Sequence, residues 1–163
     1  MSGSPSTVAV RPARAADAAK IVEFNLGLAR ETEERALPPD VLGRGVDKAL
    51  ADPARGSYFV AEVGGEVAAC LLITTEWSDW RDGWFWWIQS VYVAPEHRGV
   101  GVYTALHEHV RARARAAVDV VGLRLYVEKQ NLRAQRTYRK LGMEETYYLL
   151  FEEMFPEAGG AEP

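Results

Sequence analysis

The sequence has little cysteine, no excess of basic residues and no long apolar run, and each of these shortages excludes a class of protein. Cys70 is the single cysteine among 163 residues, which excludes an internal disulfide and a multi-cysteine zinc site. It lies in the apolar run 68–73, which favours a buried structural thiol over a nucleophile. No stretch approaches the ~20 apolar residues of a membrane span. The N-terminus lacks the charged start and apolar core of a secretory signal, so we expect a cytoplasmic protein without a membrane partner.

Charge and size point the same way. The 19 Lys and Arg residues are outnumbered by 23 Asp and Glu residues, giving a net charge of −4, which argues against a nucleic-acid partner. Hydrophobic residues make up 48% of the chain and charged residues 26%, close to the averages for folded soluble proteins. The length suits a single domain. We therefore expect one domain over 7–155, with short tails at 1–6 and 156–163.

Alternating patterns and turn residues predict strands that first run as hairpins and then alternate with helices. Gly64-Gly65 between two strand patterns is a strong hairpin signal, and Val102, Leu106 and Val110 place one apolar stripe on the clearest helix. This order indicates an α/β domain with a mixed central sheet, helices on both faces and one parallel strand pair. The predicted strands are 7–11, 57–63, 66–75, 84–93, 123–127 and 145–152; the predicted helices are 17–34 (with Asp17 as N-cap), 40–51, 100–118 and 132–141.

The segment with the clearest chemistry follows the strand 84–93, where Pro95 turns the chain into a glycine-bearing loop and a long helix. Backbone N–H groups at a helix start are unpaired and carry partial positive charge. Gly99 and Gly101 allow the backbone to curve around an anion, and Arg98 adds a permanent charge. The segment predicts a phosphate site that suits a diphosphate, with a ligand-free tight connection as the alternative. The segment has no Gly-Lys-Ser/Thr, which disfavours a triphosphatase loop, and its glycine spacing differs from the dinucleotide fingerprint.

This loop resembles the Arg/Gln-x-x-Gly-x-Gly/Ala signature of the GNAT superfamily of N-acetyltransferases, except that a tyrosine stands where the family prefers Gly or Ala. A second segment, 128–143, is similar to the family's Asn-x-x-Ala-x-x-x-Tyr-x-x-x-Gly-Phe/Met pattern. It places Asn131 at a helix N-cap and Tyr138 two turns later on the same helical face. The resemblance covers 7–152. The residues that match the loop signature, including the departure, are Arg98, Gly99, Val100, Gly101, Val102 and Tyr103.

The resemblance implies a GNAT-type acyl-CoA N-acyltransferase fold that moves an acetyl group from acetyl-CoA, a cosubstrate, to a primary amine of a small molecule or peptide, without a metal. In the family the loop cradles the pyrophosphate of acetyl-CoA, and Asn131 counts among the positions expected to serve the cosubstrate. A backbone amide on the preceding strand, at Val91, Tyr92 or Val93, is expected to stabilise the thioester oxygen. Tyr138 matches the general acid, with a core aromatic as the alternative reading.

The acceptor side is less determined by the sequence. An alkyl amine with a pKa near 10.4 must lose a proton before it attacks, so a base is needed. Glu76 is the predicted base because it directly follows a strand expected to neighbour the central one, and Gln89 is the alternative, positioning a water. Of the tryptophans after it, we expect those of the strand 84–93 to serve packing. The predicted acceptor-binding residues are Glu31, Glu34, Trp77, Asp79, Trp80 and Gln89.

Two competing functions stay open at this point. One is a non-catalytic acyl-CoA-binding or sensor domain on the same fold, an alternative raised by Tyr103 and opposed by the intact pattern from Asn131 to Tyr138. The other is generic nucleotide binding, which would show no preference for the pantetheine arm. Many family members dimerise, so the resemblance also leaves a homodimer open.

Overall fold

The computed structural model describes residues 7–32 and 36–155, which form five strands and four helices joined in part by two short 3-10 turns. The chain divides after Asn131 into two compact units, the first with the sheet and the second with the last helix. Within the described residues, no helix is long and apolar enough to cross a lipid bilayer. The elements are β1 (Val8–Pro12), α1 (Ala18–Thr32), α2 (Pro39–Ala51), β2 (Ser57–Val63), β3 (Glu66–Ser78), β4 (Gly83–Val93), α3 (Val102–Ala116), β5 (Val120–Arg124) and α4 (Leu132–Lys140).

The strands form one mixed sheet in the order β1-β2-β3-β4-β5. Neighbours run antiparallel except for β4 and β5, which are parallel and are joined by the crossover helix α3. Gly64 and Gly65 take φ values of 61° and 85° in the turn between β2 and β3, where residues with a Cβ are rarely found. The predicted α/β fold with a mixed sheet, its first hairpin and its parallel pair are therefore confirmed.

Helices cover both faces of the sheet, and each face has its own apolar cluster. On one face α3 supplies Val102, Leu106 and Val110, which are at most 1% exposed, as the periodicity predicts. On the other face α1 and α2 pack over a cluster that includes Cys70. Cys70 is fully buried, and this burial raises the pKa of its thiol to about 12, as expected of a structural cysteine.

Several predicted boundaries shift for local reasons. The strand predicted at 123–127 is β5, which starts three residues earlier because Val120 already pairs with Trp84 of β4. α3 begins at Val102 rather than at residue 100, since the preceding glycines hold the chain in a left-handed conformation. Asp17 is not the N-cap of α1. Its carboxylate instead accepts the backbone N–H of Arg14 at 2.7 Å and pairs with Arg11 at 2.8 Å.

The strand predicted at 145–152 is wrong. Residues 143–155 have neither helix nor strand, and the sheet of the described residues ends with β5. Alternation of side chains indicates which residues would share a face of a strand, but a strand also needs a neighbour that accepts and donates its backbone hydrogen bonds. The expected tails 1–6 and 156–163 lie outside the described residues, and the single-domain organisation stays a prediction.

Candidate active site

A β-bulge interrupts β4 three residues before its end. Cys70 of β3 pairs with Tyr92 of β4, and Leu72 pairs with Gln89. One residue lies between the two pairs on β3, whereas two residues lie between them on β4. One of these, Ser90, has a φ of 51°, unusual for a residue with a side chain. On its other edge β4 pairs with β5 only as far as Trp87. Among the described residues, the backbone of 88–93 on that edge therefore has no strand partner.

The loop after β4 leaves the start of α3 open. Gly99 and Gly101 have φ values of 78° and 87°, and a Cβ built on either one meets no atom within 4 Å. Gly101 is the N-cap of α3 and no side chain caps the helix there. Gly99, Val100 and Gly101 are exposed, so the backbone that leads into the helix lies beside open space. Phosphate binds at helix N-termini of this kind.

Tyr103, the departure from the loop signature, points along α3. Its hydroxyl lies 3.1 Å from Nδ1 of His107, whose Nε2 lies 2.9 Å from Nη2 of Arg111. A guanidinium only donates, so Nε2 accepts, Nδ1 carries the proton and the Tyr103 oxygen accepts it. The ring also packs against the α3-side cluster. A large side chain at this position therefore leaves the loop backbone accessible.

Arg98 is held in place by three groups. Its Nε donates to the carbonyl of Val93 at 2.9 Å, its Nη2 donates to Oε2 of Glu31 at 2.8 Å, and its guanidinium lies 5.2 Å from the centre of the Tyr92 ring. The hydroxyl of Tyr92 in turn donates to Oε1 of Glu31 at 2.8 Å. Burial opposes ionisation of Glu31, but the hydrogen bonds from Tyr92 and Arg98 outweigh it and lower the pKa of the carboxyl. One predicted acceptor residue and two predicted cosubstrate residues thus form one cluster.

Comparison with known proteins decides the family. The model of the acetyltransferase (GNAT) family matches residues 22–143, about three quarters of the chain. The chain belongs to the GNAT acetyltransferase family. A possible acetyltransferase from Clostridium difficile 630 is similar over 92% of this chain and 99% of its own, with 42% identity and a TM-score of 0.86. No curated protein sequence matches significantly.

More distant structures share the GNAT fold. A ribosomal-protein-alanine N-acetyltransferase from Brucella melitensis biovar Abortus 2308 has 17% identity and a TM-score of 0.74, covering 92% of this chain and 100% of its own. An aminoglycoside N-acetyltransferase in complex with CoA also has 17% identity and a TM-score of 0.74, covering 94% of this chain and 99% of its own. At this identity the likeness concerns the fold.

In this GNAT chain Glu76 lies far from the bulge. Its carboxylate accepts from Arg124 at 2.6 Å, and Arg124 stacks on the ring of Phe85 at 3.6 Å. Glu76 pairs in register with Phe85, six residues before Val91 along β4. At about 3.3 Å per residue, the separation along the strand is roughly 15–20 Å. A base must come within about 3 Å of the proton it removes, so the structure does not bring Glu76 to the bulge.

The other predicted acceptor residues fall into separate places. The side-chain nitrogen of Gln89 donates to Oγ1 of Thr74 at 2.6 Å, next to the bulge. Trp77 packs edge-on against Trp84 at 5.0 Å, and Trp80 is 85% exposed. Asp79 lies between them and accepts the backbone N–H of Trp80 at 3.0 Å. Glu34 lies outside the described residues.

The second GNAT signature lies at and after the boundary between the two units. Asn131 directly precedes α4, the position of an N-cap, and Tyr138 belongs to the last turns of the helix. The carbonyl of Tyr138 accepts the backbone N–H of Met143, and Gly142, just after the helix, has a left-handed φ of 86° that is typical of helix C-termini. Burial raises the pKa of the Tyr138 phenol.

Sequence reasoning missed two features of the site. The first is that Glu31 contacts Tyr92 and Arg98, which are 61 and 67 residues away, so no local spacing could reveal it. The second is the buried His107. Its position one residue after Leu106 on the same helical face as the apolar stripe is a signal that could have found it.

Proposed function

We propose that this chain transfers the acetyl group of acetyl-CoA to a primary amine of a small molecule or peptide. Family membership supports an acetyltransferase in general, and one structural observation carries the rest. A glycine-lined helix N-terminus follows, after a short loop, the bulged strand β4. Among the described residues, 88–93 of β4 have no strand partner on the side of β5. The first feature suits a pyrophosphate, and the second offers backbone N–H groups to an acyl group.

The loop is proposed to hold the cosubstrate mainly through its backbone. The N–H groups at Val100, Gly101, Val102 and Tyr103 bind phosphate oxygens, and Gly99 lets the chain turn without steric hindrance. Arg98 contributes the guanidinium N–H groups that its bonds to Glu31 and Val93 leave over. Asn131 is proposed to serve the same site by fixing the start of α4.

The bulge is proposed to orient the donor that stabilises negative charge on the thioester oxygen. In a regular strand the N–H groups of Val91, Tyr92 and Val93 would point alternately to the two edges of the strand. The extra residue of the bulge interrupts this alternation. A fixed backbone donor of this kind is worth roughly 10²–10³ in rate. Because the donor is a backbone N–H, substitutions of these side chains that leave the backbone conformation unchanged should leave the rate enhancement unchanged.

Protons are proposed to enter and leave through two different side chains. Tyr138 donates to the departing thiolate, a task that its raised pKa suits because the phenol stays protonated at neutral pH. On the acceptor side we propose a water bound by Gln89, which adjoins the bulge. Glu76, the base expected from the sequence, lies far from the bulge and binds Arg124, so we propose that it contacts a remote part of the acceptor instead.

The proposed acceptor surface faces α1 and α2. We expect Glu34, together with Trp77, Asp79 and Trp80 at and before the turn between β3 and β4, to border it. Glu31 is left out because its carboxylate already binds Tyr92 and Arg98. The similar folds of a ribosomal-protein and an aminoglycoside N-acetyltransferase are compatible with either a peptide or a small-molecule amine. The acidic side chains favour a cationic acceptor.

The decisive experiment is calorimetric titration with acetyl-CoA, CoA, ADP and ATP, followed by a thiol-release assay with a panel of amines. Acetyl-CoA should bind with a preference over ATP, and Arg98→Ala should weaken its binding about tenfold or more. Arg44→Ala is the matched control, because Arg44 forms an exposed ion pair on α2. This variant should bind acetyl-CoA as tightly as wild type. Absence of binding, or equal binding of ATP, would contradict the proposal.

The sensor alternative predicts a different pattern. A non-catalytic domain would form a stoichiometric CoA complex and release no thiol with any amine in the panel. The feature that favoured it, Tyr103, is directed toward His107 and leaves the loop backbone exposed. Catalysis therefore remains the better supported reading.

A further inference from the structure

One carboxylate joins three elements around the loop. Glu31 lies in the last turn of α1; its Oε1 accepts from the hydroxyl of Tyr92 on β4, and its Oε2 accepts from Nη2 of Arg98, the first residue of the loop signature. Both distances are 2.8 Å. Bonds of this kind between a charged acceptor and a fixed donor are short and directional. The end of α1 is therefore tied to the bulged strand and to the loop at once.

The face of α1 that carries Glu31 is shaped around Tyr92. The ring of Phe24 lies 5.2 Å from the Tyr92 ring, and a Cβ at Gly27 would come within 2.8 Å of the Tyr92 hydroxyl. Phe24, Gly27 and Glu31 are spaced by three and four residues, so they lie along one helical face. The absence of a side chain at Gly27 is thus what lets the hydroxyl reach Glu31.

Arg98 depends on this arrangement for its direction. The next residue is Gly99, with a φ of 78°, and the conformational freedom of glycine does not by itself fix the direction of the neighbouring side chain. The guanidinium is fixed by Val93 at one end, by the Tyr92 ring below and by Glu31 at Nη2. Without Glu31, the guanidinium would keep its bond to Val93 and its contact with Tyr92 but lose its charged partner.

We propose that Glu31 is a positioning residue for the cosubstrate loop: by binding Tyr92 and Arg98 together it fixes the guanidinium in the direction that receives the pyrophosphate. The inference rests on the proposed function. It replaces the expectation that Glu31 contacts the acceptor. It also makes α1 a structural part of the cosubstrate site.

The sign of the effect separates this proposal from simple electrostatics. A carboxylate beside an anion site repels phosphate, so on charge alone its removal should tighten acetyl-CoA binding. If Glu31 instead holds Arg98 in place, its removal should weaken binding although a negative charge has been lost. The two views predict opposite changes in one measured quantity.

The test uses Glu31→Gln, which keeps the side-chain size and one acceptor oxygen but loses the charge. We expect the Kd and the KM for acetyl-CoA to rise about tenfold, while kcat at saturation stays within about twofold. Glu23→Gln is the matched control on the same helix, because Glu23 is exposed and pairs only with Lys20 among the described residues. Its acetyl-CoA constants should equal those of wild type. A merely structural role would lower stability without raising KM selectively.

A double-mutant cycle completes the test. On an Arg98→Ala background, Glu31→Gln should cause no further loss of acetyl-CoA binding, because the group it positions is gone. Additive losses, or unchanged or tighter binding in the single Glu31→Gln variant, would overturn the inference while leaving the proposed function intact. A wild-type chain that binds no acetyl-CoA would overturn both, so the two failures are told apart by the wild-type titration.

Discussion

The buried His107 makes the stability of the fold sensitive to mild acid. The side chain is fully buried on α3, and burial together with the charge of Arg111 lowers the pKa of its imidazole to about 4. In the unfolded chain the pKa returns to about 6.5. Between these pH values the unfolded state binds a proton that the folded state excludes. The free energy of unfolding therefore falls as the pH drops below 6.5, whereas above 6.5 His107 causes no pH dependence.

The magnitude follows from the two pKa values. Each unit of difference corresponds to about 1.4 kcal/mol, so the full effect is about 3 kcal/mol once the pH reaches 4. At pH 5 about 2 kcal/mol is already lost. Protonation would also place an N–H of His107 against the guanidinium of Arg111, which can only donate, so the hydrogen bond at 2.9 Å would be broken.

Urea unfolding of wild type and of His107→Gln, measured from pH 7.5 to pH 5, isolates the contribution of His107 protonation to the free energy of unfolding. The variant should be less stable at pH 7.5, since it loses packing inside a filled core. The difference in unfolding free energy should then shrink by about 2 kcal/mol at pH 5, because the variant has no imidazole to protonate. Acid effects from Asp17 and Glu31, whose pKa values are lowered in the fold, are common to both proteins and cancel. A difference that stays constant with pH would refute the reasoning.

Three further substitutions test other parts of the structure. Tyr138→Phe should lower kcat by about 10²-fold or more with little change in the Kd for acetyl-CoA, measured by thiol release and calorimetry, whereas full turnover would exclude the general-acid role. Gly101→Ala should weaken acetyl-CoA binding at least about tenfold and destabilise the fold by about 1–2 kcal/mol in urea, because its φ of 87° is unfavourable for a residue with a Cβ. Gly27→Ala should cost about 1–3 kcal/mol through its clash with the Tyr92 hydroxyl, and adding Tyr92→Phe should recover part of this loss.

Local signals in the sequence were sufficient for much of the fold. The apolar stripe of α3 and the glycine pair after β2 depend on residues within two turns or one hairpin, and both features are confirmed. Strand pairing is different, because it is decided by a partner elsewhere in the chain. β5 therefore begins earlier than its β-branched pattern suggests, and the alternating segment 145–152 forms no strand.

The same division applies to the candidate site. Gly99 and Gly101 have the backbone conformation that the motif requires, since that requirement is met within a few residues. The contacts of Glu31 join parts of the chain more than 60 residues apart and follow from the packing of α1 on β4. The family resemblance predicts Glu31 on the acceptor side, whereas its side chain binds Tyr92 and Arg98.

Tyr103 shows which departures from a motif matter physically. A phosphate site built from backbone N–H groups does not depend on the identity of a side chain that is directed away from it. Tyr103 meets this condition because His107, one turn further along α3, binds its hydroxyl and the core receives its ring. Gly101 has no such freedom, because the proposed site depends on its left-handed conformation and on the open space beside it. Each position of the signature therefore matters through its effect on the backbone. This chain keeps the two glycines whose left-handed conformations shape the loop.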